Sequence, residues 1–210
     1  MQSADFSDEA IKENCPMCDG ASPTFAYLLA ETELFRITCD ASPLTEGHIL
    51  IIPKAHVDCL ASYDDALLSE FQDHYRRVMD FVRKTYGSVA TFEHGKFGQT
   101  VYHSHVHVLP FTGTLEQIVP EGAAHAEPLA DISGLKQRFD RDGGYLYLSI
   151  AGQQYTIDKN LAARRFFRDR FAAALGVPER GNWKQTYDHP GLRAALDAEC
   201  RQAVAKWQAQ

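Results

Sequence analysis

Residues 98–110 read GQTVYHSHVHVLP, and three of them, His103, His105 and His107, stand two apart. In extended backbone successive side chains point to opposite faces, so the three imidazoles share one face while Ser104, Val106 and Val108 share the other. Such a strand belongs in a sheet with a core on its valine side and a site on its histidine side. Neighbouring imidazoles in the row are about 7 Å apart, two rises of about 3.3 Å, so one anion or one metal ion can meet two of them. Three histidines on an otherwise apolar strand cost burial energy that no core returns, which sets aside a stripe without a role. Spacing alone leaves two chemistries open: histidines that hold zinc, and a histidine that itself attacks the substrate.

The cysteines divide into two kinds. Cys39, Cys59 and Cys200 are isolated and read as small buried or neutral residues. Cys15 and Cys18 form the stretch CPMC, between the polar, acidic start MQSADFSDEAIKEN and the turn-forming DGASP. That setting lacks the strand and helix of a thioredoxin-like redox pair, and it leaves a zinc half-site or a plain turn. The polar start has no apolar signal-peptide region, and no apolar run approaches the roughly 20 residues of a membrane span, so a cytoplasmic protein without membrane contact is expected. A formal charge of −7 argues against an extended nucleic-acid partner. It leaves room for a small anionic substrate, because a local pocket can oppose the overall field.

Periodicity organises the rest. Alternation predicts strands over 34–39, 88–93 and 100–110, and the run HILIIP, bounded by Gly47 and Pro53, predicts a buried one. The segment 62–85 predicts a long helix with Ser62 as N-cap, Asp64 and Asp65 in its first turn and Gly87 beyond its end. Its apolar face is Leu67, Leu68, Phe71, Tyr75, Val78, Met79 and Val82. Residues 119–131, rich in Pro, Ala, Gly and acid, suit a linker or surface loop. Beyond them 145–150 and 155–157 alternate as a strand pair, and 159–175 and 190–208 read as helices. Strands and helices mixed without regular βαβ alternation indicate an α+β protein.

Four blocks, in order, carry a resemblance that covers roughly residues 15–112. HSHVHVLP resembles the signature of the histidine triad (HIT) family, His-φ-His-φ-His-φ-φ with φ hydrophobic. GHILIIPKAHV is similar to the family's strand followed by Pro-Lys-x-His. CDASP resembles the segment whose acid binds ribose hydroxyls, and CPMC the zinc half-site of many bacterial members. The resemblance implies a HIT-like α+β fold: a mainly antiparallel sheet with one long helix, plus a C-terminal α+β extension. It divides the chain into a domain over 1–118 with its N-terminal zinc segment, the stretch 119–131, and an extension over 132–210 packed on the core.

The resemblance also implies roles. His105 would be the nucleophile that attacks the α-phosphorus, His107 would hold a non-bridging phosphate oxygen, and His103 would complete the catalytic triad. Gln99 and Thr100 would bind phosphate or leaving group, and Asp40 the ribose. Structural zinc would be held by Cys15, Cys18, His56 and His103, four protein ligands making a closed site. The expected activity is a nucleotidyl hydrolase acting on a phosphoramidate, a dinucleoside polyphosphate or a similar conjugate, and releasing a nucleoside monophosphate. His107 in place of the Gln of transferase branches favours water as acceptor. The alternatives are a nucleotide sensor or scaffold with little turnover, a nucleotidyl transferase, and a zinc hydrolase using the triad as ligands. A homodimer is the default assembly. Two positions depart from the family pattern. Ser104 stands where a hydrophobic residue is usual, and Glu93 or His94 stands near the place of an Asn beside the phosphate, where an acid would repel it.

Overall fold

One antiparallel sheet of eight strands runs through the molecule. The computed structural model describes residues 15–187 and 189–210; the polar start 1–14, on which the signal-peptide reading rested, lies outside them. The strands are β1 (Leu28–Glu31), β2 (Phe35–Cys39), β3 (Ile49–Pro53), β4 (Ala90–Gly95), β5 (Val106–Leu109), β6 (Ala126–Leu129), β7 (Tyr145–Ile150) and β8 (Gln153–Ile157). Their order across the sheet is β1-β2-β3-β5-β4-β7-β8-β6. β3 is buried along its whole length, which is why ILIIP carries no polar alternation.

The stretch expected as one strand over 100–110 is strand only from Val106. The ladder with β3 begins at the pair Ile51↔Val106, and that with β4 at Phe92↔His107. Upstream the backbone loses both neighbours and runs in as bends, held instead by Ser104 N–H donating to the Val57 carbonyl at 2.6 Å. His103 and His105 therefore stand on the approach to β5 and not on it.

The long helix is α1 (Asp65–Tyr86). Its N-cap is Asp64, whose carboxylate accepts from Leu67 N–H at 2.8 Å; Ser62, the expected cap, sits in the 3-10 turn Leu60–Ser62 that precedes it. Gly87 ends the helix at φ +90°, a left-handed value that suits glycine. Leu67, Phe71, Val78, Phe81 and Val82 bury one face of α1 against Phe35, Ile37, Ile49, Ile51, Val106 and Val108. The opposite face of the sheet gathers Phe92, Leu109, Leu146 and Leu148 into a second core.

The C-terminal part joins the same sheet. β7 pairs with β4 over five registered positions, from Thr91↔Ser149 to Gly95↔Tyr145, and β8 and β6 follow outward. β6 arises inside 119–131, the stretch read as linker or loop. Its helices are α2 (Leu115–Ile118), α3 (Gly134–Asp142), α4 (Phe166–Ala174), α5 (Trp183–Tyr187) and α6 (Pro190–Gln208). The single helix expected over 159–175 is broken: a 3-10 turn, Lys159–Leu161, precedes α4, and between them Arg165 takes φ +61°. The break has a tertiary cause. Arg165 N–H donates to the Gly98 carbonyl at 3.1 Å, and a Cβ on Gly98 would stand 2.3 Å from the Ala163 oxygen. The segment thus docks on the loop before the triad, α4 lays Phe166, Phe167 and Phe171 on the second core, and α6 returns to set Trp207 against Phe81. No helix among the described residues is long and apolar enough to cross a membrane.

Candidate active site and metal centre

The three histidines part company. His103 turns toward the CPMC turn: its Nδ1 lies 3.4 Å from Cys15 Sγ and 3.5 Å from Cys18 Sγ, and Cys18 Sγ lies 3.2 Å from His56 Nδ1. One ligand atom from each of Cys15, Cys18, His56 and His103 falls within 4.8 Å of all the others. Zinc–sulfur and zinc–nitrogen bonds of about 2.3 and 2.0 Å give tetrahedral edges of about 3.3–3.8 Å, so the donors stand close to the separations an ion needs. His103 Nε2 donates to the Pro53 carbonyl at 2.8 Å, which fixes the ring and leaves the Nδ1 lone pair toward the thiols.

His105 and His107 instead wall a cavity of about 330 Å³. Hydrogen bonds settle their tautomers in sequence. His105 Nδ1 stands 2.7 Å from the His103 carbonyl, so it carries the proton and Nε2 keeps its lone pair. His48 Nδ1 accepts from Leu44 N–H at 3.1 Å, so its proton is on Nε2, which donates to His107 Nδ1 at 2.9 Å. The remaining proton of His107 is then on Nε2, a buried atom with no partner among the described residues. The His107 ring is stacked on Phe92 at 4.2 Å. Burial keeps all three rings neutral: it pushes His48 down to about 4, His105 below the usual histidine value and His107 well below it.

Asp40 reaches the same cavity, in company the sequence did not signal. Its Oδ2 accepts from Arg168 Nη1 at 2.6 Å, and its Oδ1 from Ser42 N–H at 2.8 Å. Burial alone would raise this carboxyl, but Arg168, His48 and the Ser42 bond outweigh it and hold the group below its ordinary value. Arg168 comes from α4, itself only 6% exposed, and lines the cavity with Trp183 of α5. Asp40, His48 and His107 also lie close enough to share an ion. There, however, the positive partner of the acid is already a guanidinium.

Thr100 lines the cavity. Gln99 is not among the lining residues; its amide donates to the Asp58 carbonyl at 2.7 Å, and its buried Oε1 has no partner among the described residues. Glu93 faces the other side of the sheet, away from His107. It accepts from Ser104 Oγ at 2.7 Å, Tyr145 Oη at 2.5 Å and Leu60 N–H at 3.0 Å, and burial raises it to about 7. The hydroxyl of Ser104 and the acid of Glu93 thus pair with each other, which accounts for both departures together. His94, on the site side, accepts from Phe167 N–H at 3.2 Å and steadies the start of α4. Among the residues missed, His48 lies inside the quoted GHILIIP block. Arg168 and Trp183 lie outside the residues 15–112 that carry the family resemblance.

A separate cavity of about 260 Å³ in the extension is rich in charge, but its groups pair with one another, as in Arg138–Glu127, Lys159–Asp142 and His125–Asp158. Among the described residues, a ring nitrogen with a free lone pair, a buried donor without a partner and a buried guanidinium come together at His105, His107 and Arg168.

The resemblance to known proteins covers the N-terminal half of the chain. A profile described as the HIT domain matches residues 24–113. An uncharacterised HIT-like protein of Mycobacterium tuberculosis is 31% identical over 100 residues, covering 46% of this chain and 68% of that one. An adenylylsulfatase of Arabidopsis thaliana is 27% identical over 107 residues, 48% of this chain and 53% of the enzyme. A HIT family protein of Bacillus anthracis of known structure is 27% identical, with a TM-score of 0.42 over 48% of this chain and 75% of that one. The chain thus spans about two thirds of the mycobacterial relative and about half of the plant enzyme. The domain match ends well before Arg168 and Trp183. With the triad in place and both the domain and a relative of this identity matched, the chain belongs to the HIT family, in a long form whose C-terminal extension continues the sheet and walls the cavity.

Proposed function

We propose that this protein hydrolyses a nucleotide conjugate at its α-phosphate through a nucleotide transiently bonded to His105. The observation that carries the reading is the chain of tautomers from Leu44 N–H through His48 to His107, beside a His105 whose Nε2 keeps its lone pair. In the first step His105 Nε2 forms a bond to phosphorus while the bond to the leaving group breaks, and the leaving group departs with that electron pair. The ring becomes cationic, and its Nδ1–H bond to the His103 carbonyl strengthens as it does so. His107 Nε2–H, unpartnered beforehand, donates to a non-bridging oxygen as charge gathers there. Thr100 is placed for the phosphate or leaving group. Water then attacks phosphorus and releases a proton to solvent, the P–N bond breaks and returns its pair to Nε2, and a nucleoside monophosphate leaves. The plant relative's name, adenylylsulfatase, is a reaction of this class.

Zinc at Cys15, Cys18, His56 and His103 has a structural part in this reading. The ion would hold His103 in place, and the His103 carbonyl orients His105. About one zinc per chain is expected by metal analysis, and Cys15→Ser should lower the melting temperature. An unchanged melting temperature in metal-free protein would remove the assignment. For the chemistry, His105→Ala should lose several orders of magnitude in turnover while still binding AMP, and rapid quenching with labelled substrate should trap a nucleotide on the wild-type chain. Retention of a tenth of the activity would refute the role. A homodimer is the assembly to test by light scattering; β4's outer edge, taken by β7, is not available to it.

A further inference from the structure

The cavity has a wall that the HIT domain does not supply. Trp183, on α5, is the single Trp, Phe or Tyr among its lining residues; the apolar remainder, Met17, Pro23, Leu50 and Val101 among them, comes from the domain and its N-terminal segment. Trp183 is held in place by groups that are themselves part of the site. Arg168, while its Nη1 binds Asp40, donates from Nε to the Gly181 carbonyl and from Nη2 to the Arg180 carbonyl, both at 3.3 Å, in the turn that leads into α5. Its Nη2 also donates to the Ser42 carbonyl at 2.7 Å. Three residues beyond Trp183 in α5, Thr186 is fully buried; its hydroxyl stands 3.0 Å from that of Ser42 and donates to the Trp183 carbonyl at 2.7 Å. The turn bearing Asp40 and the turn bearing Trp183 are thus clamped together by one guanidinium and one pair of hydroxyls.

We propose that Trp183 is the nucleobase platform of this enzyme, and that Arg168 is the positioning residue that sets it against Asp40 and the triad. A planar π-face in a mainly apolar slot that also holds His105 and His107 is the chemistry that recognises a nucleobase, and stacking accepts any base with a preference for the larger purines. The inference rests on the nucleotidyl reading above and adds where the base goes. It also gives the extension a part in substrate choice.

The test uses the full-length protein, with AMP and ribose 5-phosphate as probes. The other tryptophan, Trp207, is buried against Phe81 in the α1 core, so a change in emission on adding AMP reports on Trp183. AMP should quench the wild type and ribose 5-phosphate should not. Trp183→Ala should weaken AMP about tenfold by calorimetry, the loss of one aromatic stack, and leave ribose 5-phosphate unchanged; Trp183→Phe should restore most of the affinity. Arg168→Lys, which keeps the charge but not the fork, should reduce AMP quenching and raise KM more than it lowers kcat. If AMP binds but neither its quenching nor its affinity depends on Trp183, the platform is wrong and the nucleotidyl reading stands. If the wild type binds no AMP and turns over no nucleotide conjugate, the reading itself falls.

Discussion

At the scale of single residues the buried titratable groups oppose one another. His48 and His94, pushed by burial to about 4 and about 3, and His107, well below the usual value, are neutral when folded and take up protons when unfolded near 6.5. The stability they contribute is present above pH 6.5 and is lost as pH falls toward their folded values. Glu93 has the other sign. Raised to about 7 from 4.5, it contributes fully below pH 4.5 and loses its contribution as pH rises through 7. These histidines, with His105 shifted the same way, outnumber Glu93, so stability climbs with pH between 5 and 6.5. Removing the opponent should steepen that climb: Glu93→Gln should add up to about 1.4 kcal/mol per pH unit to the slope of unfolding free energy in urea. An unchanged slope would mean that Glu93 is already ionised in the folded protein. This acid was legible in the sequence as a difficulty, an anion near a phosphate. Its resolution through Ser104 and Tyr145 was not, because Tyr145 lies 52 residues away and meets it only across the β4–β7 ladder. That Cys15, Cys18, His56 and His103 would meet was expected from the family resemblance alone, because they come from three short motifs far apart in the chain, and the structure does bring their donor atoms together. His48 stood in plain view but acquires meaning only from its bond to His107.

At the scale of elements, alternation and helical period found the segments and misjudged their ends. The α1 cap shows why. Ser62 and Asp64 are both good N-caps, and the choice falls to Asp64 because Leu60–Ser62 is drawn into a 3-10 turn whose Leu60 N–H binds Glu93. Asp64→Ala should therefore cost about 1 kcal/mol in thermal or urea unfolding, while Ser62→Ala should cost a few tenths at most. The reverse ranking would put the cap back at Ser62. The break before α4 carried no such local hint, since 162–165 reads Ala-Ala-Arg-Arg, with neither Pro nor Gly. It is imposed from Gly98, where only a residue without Cβ lets the Ala163 carbonyl approach. Strand 100–110 was shortened for the converse reason, a good extended pattern left without ladder partners.

At the scale of the molecule, the extension is a structural part of the sheet: with β6, its β7 and β8 make three of the eight strands. Phe92 is packed against His107, Phe167 and Phe171, so β5 and the extension share a core. A chain cut after Asp131 would bare the β4 edge and that aromatic layer together. It should recover from expression as aggregate or fail to show a cooperative melt; a soluble, monomeric, cooperatively melting fragment would contradict the shared core. The strand order has a further consequence during synthesis. β6 leaves the ribosome before β7 and β8 yet ends outside them, so it must wait for β8, and β4's edge must wait for β7. At roughly 5–20 residues per second the nascent domain holds an open edge strand for several seconds, long enough to pair wrongly. A cell making this protein must shelter on the ribosome an edge that the finished fold never shows.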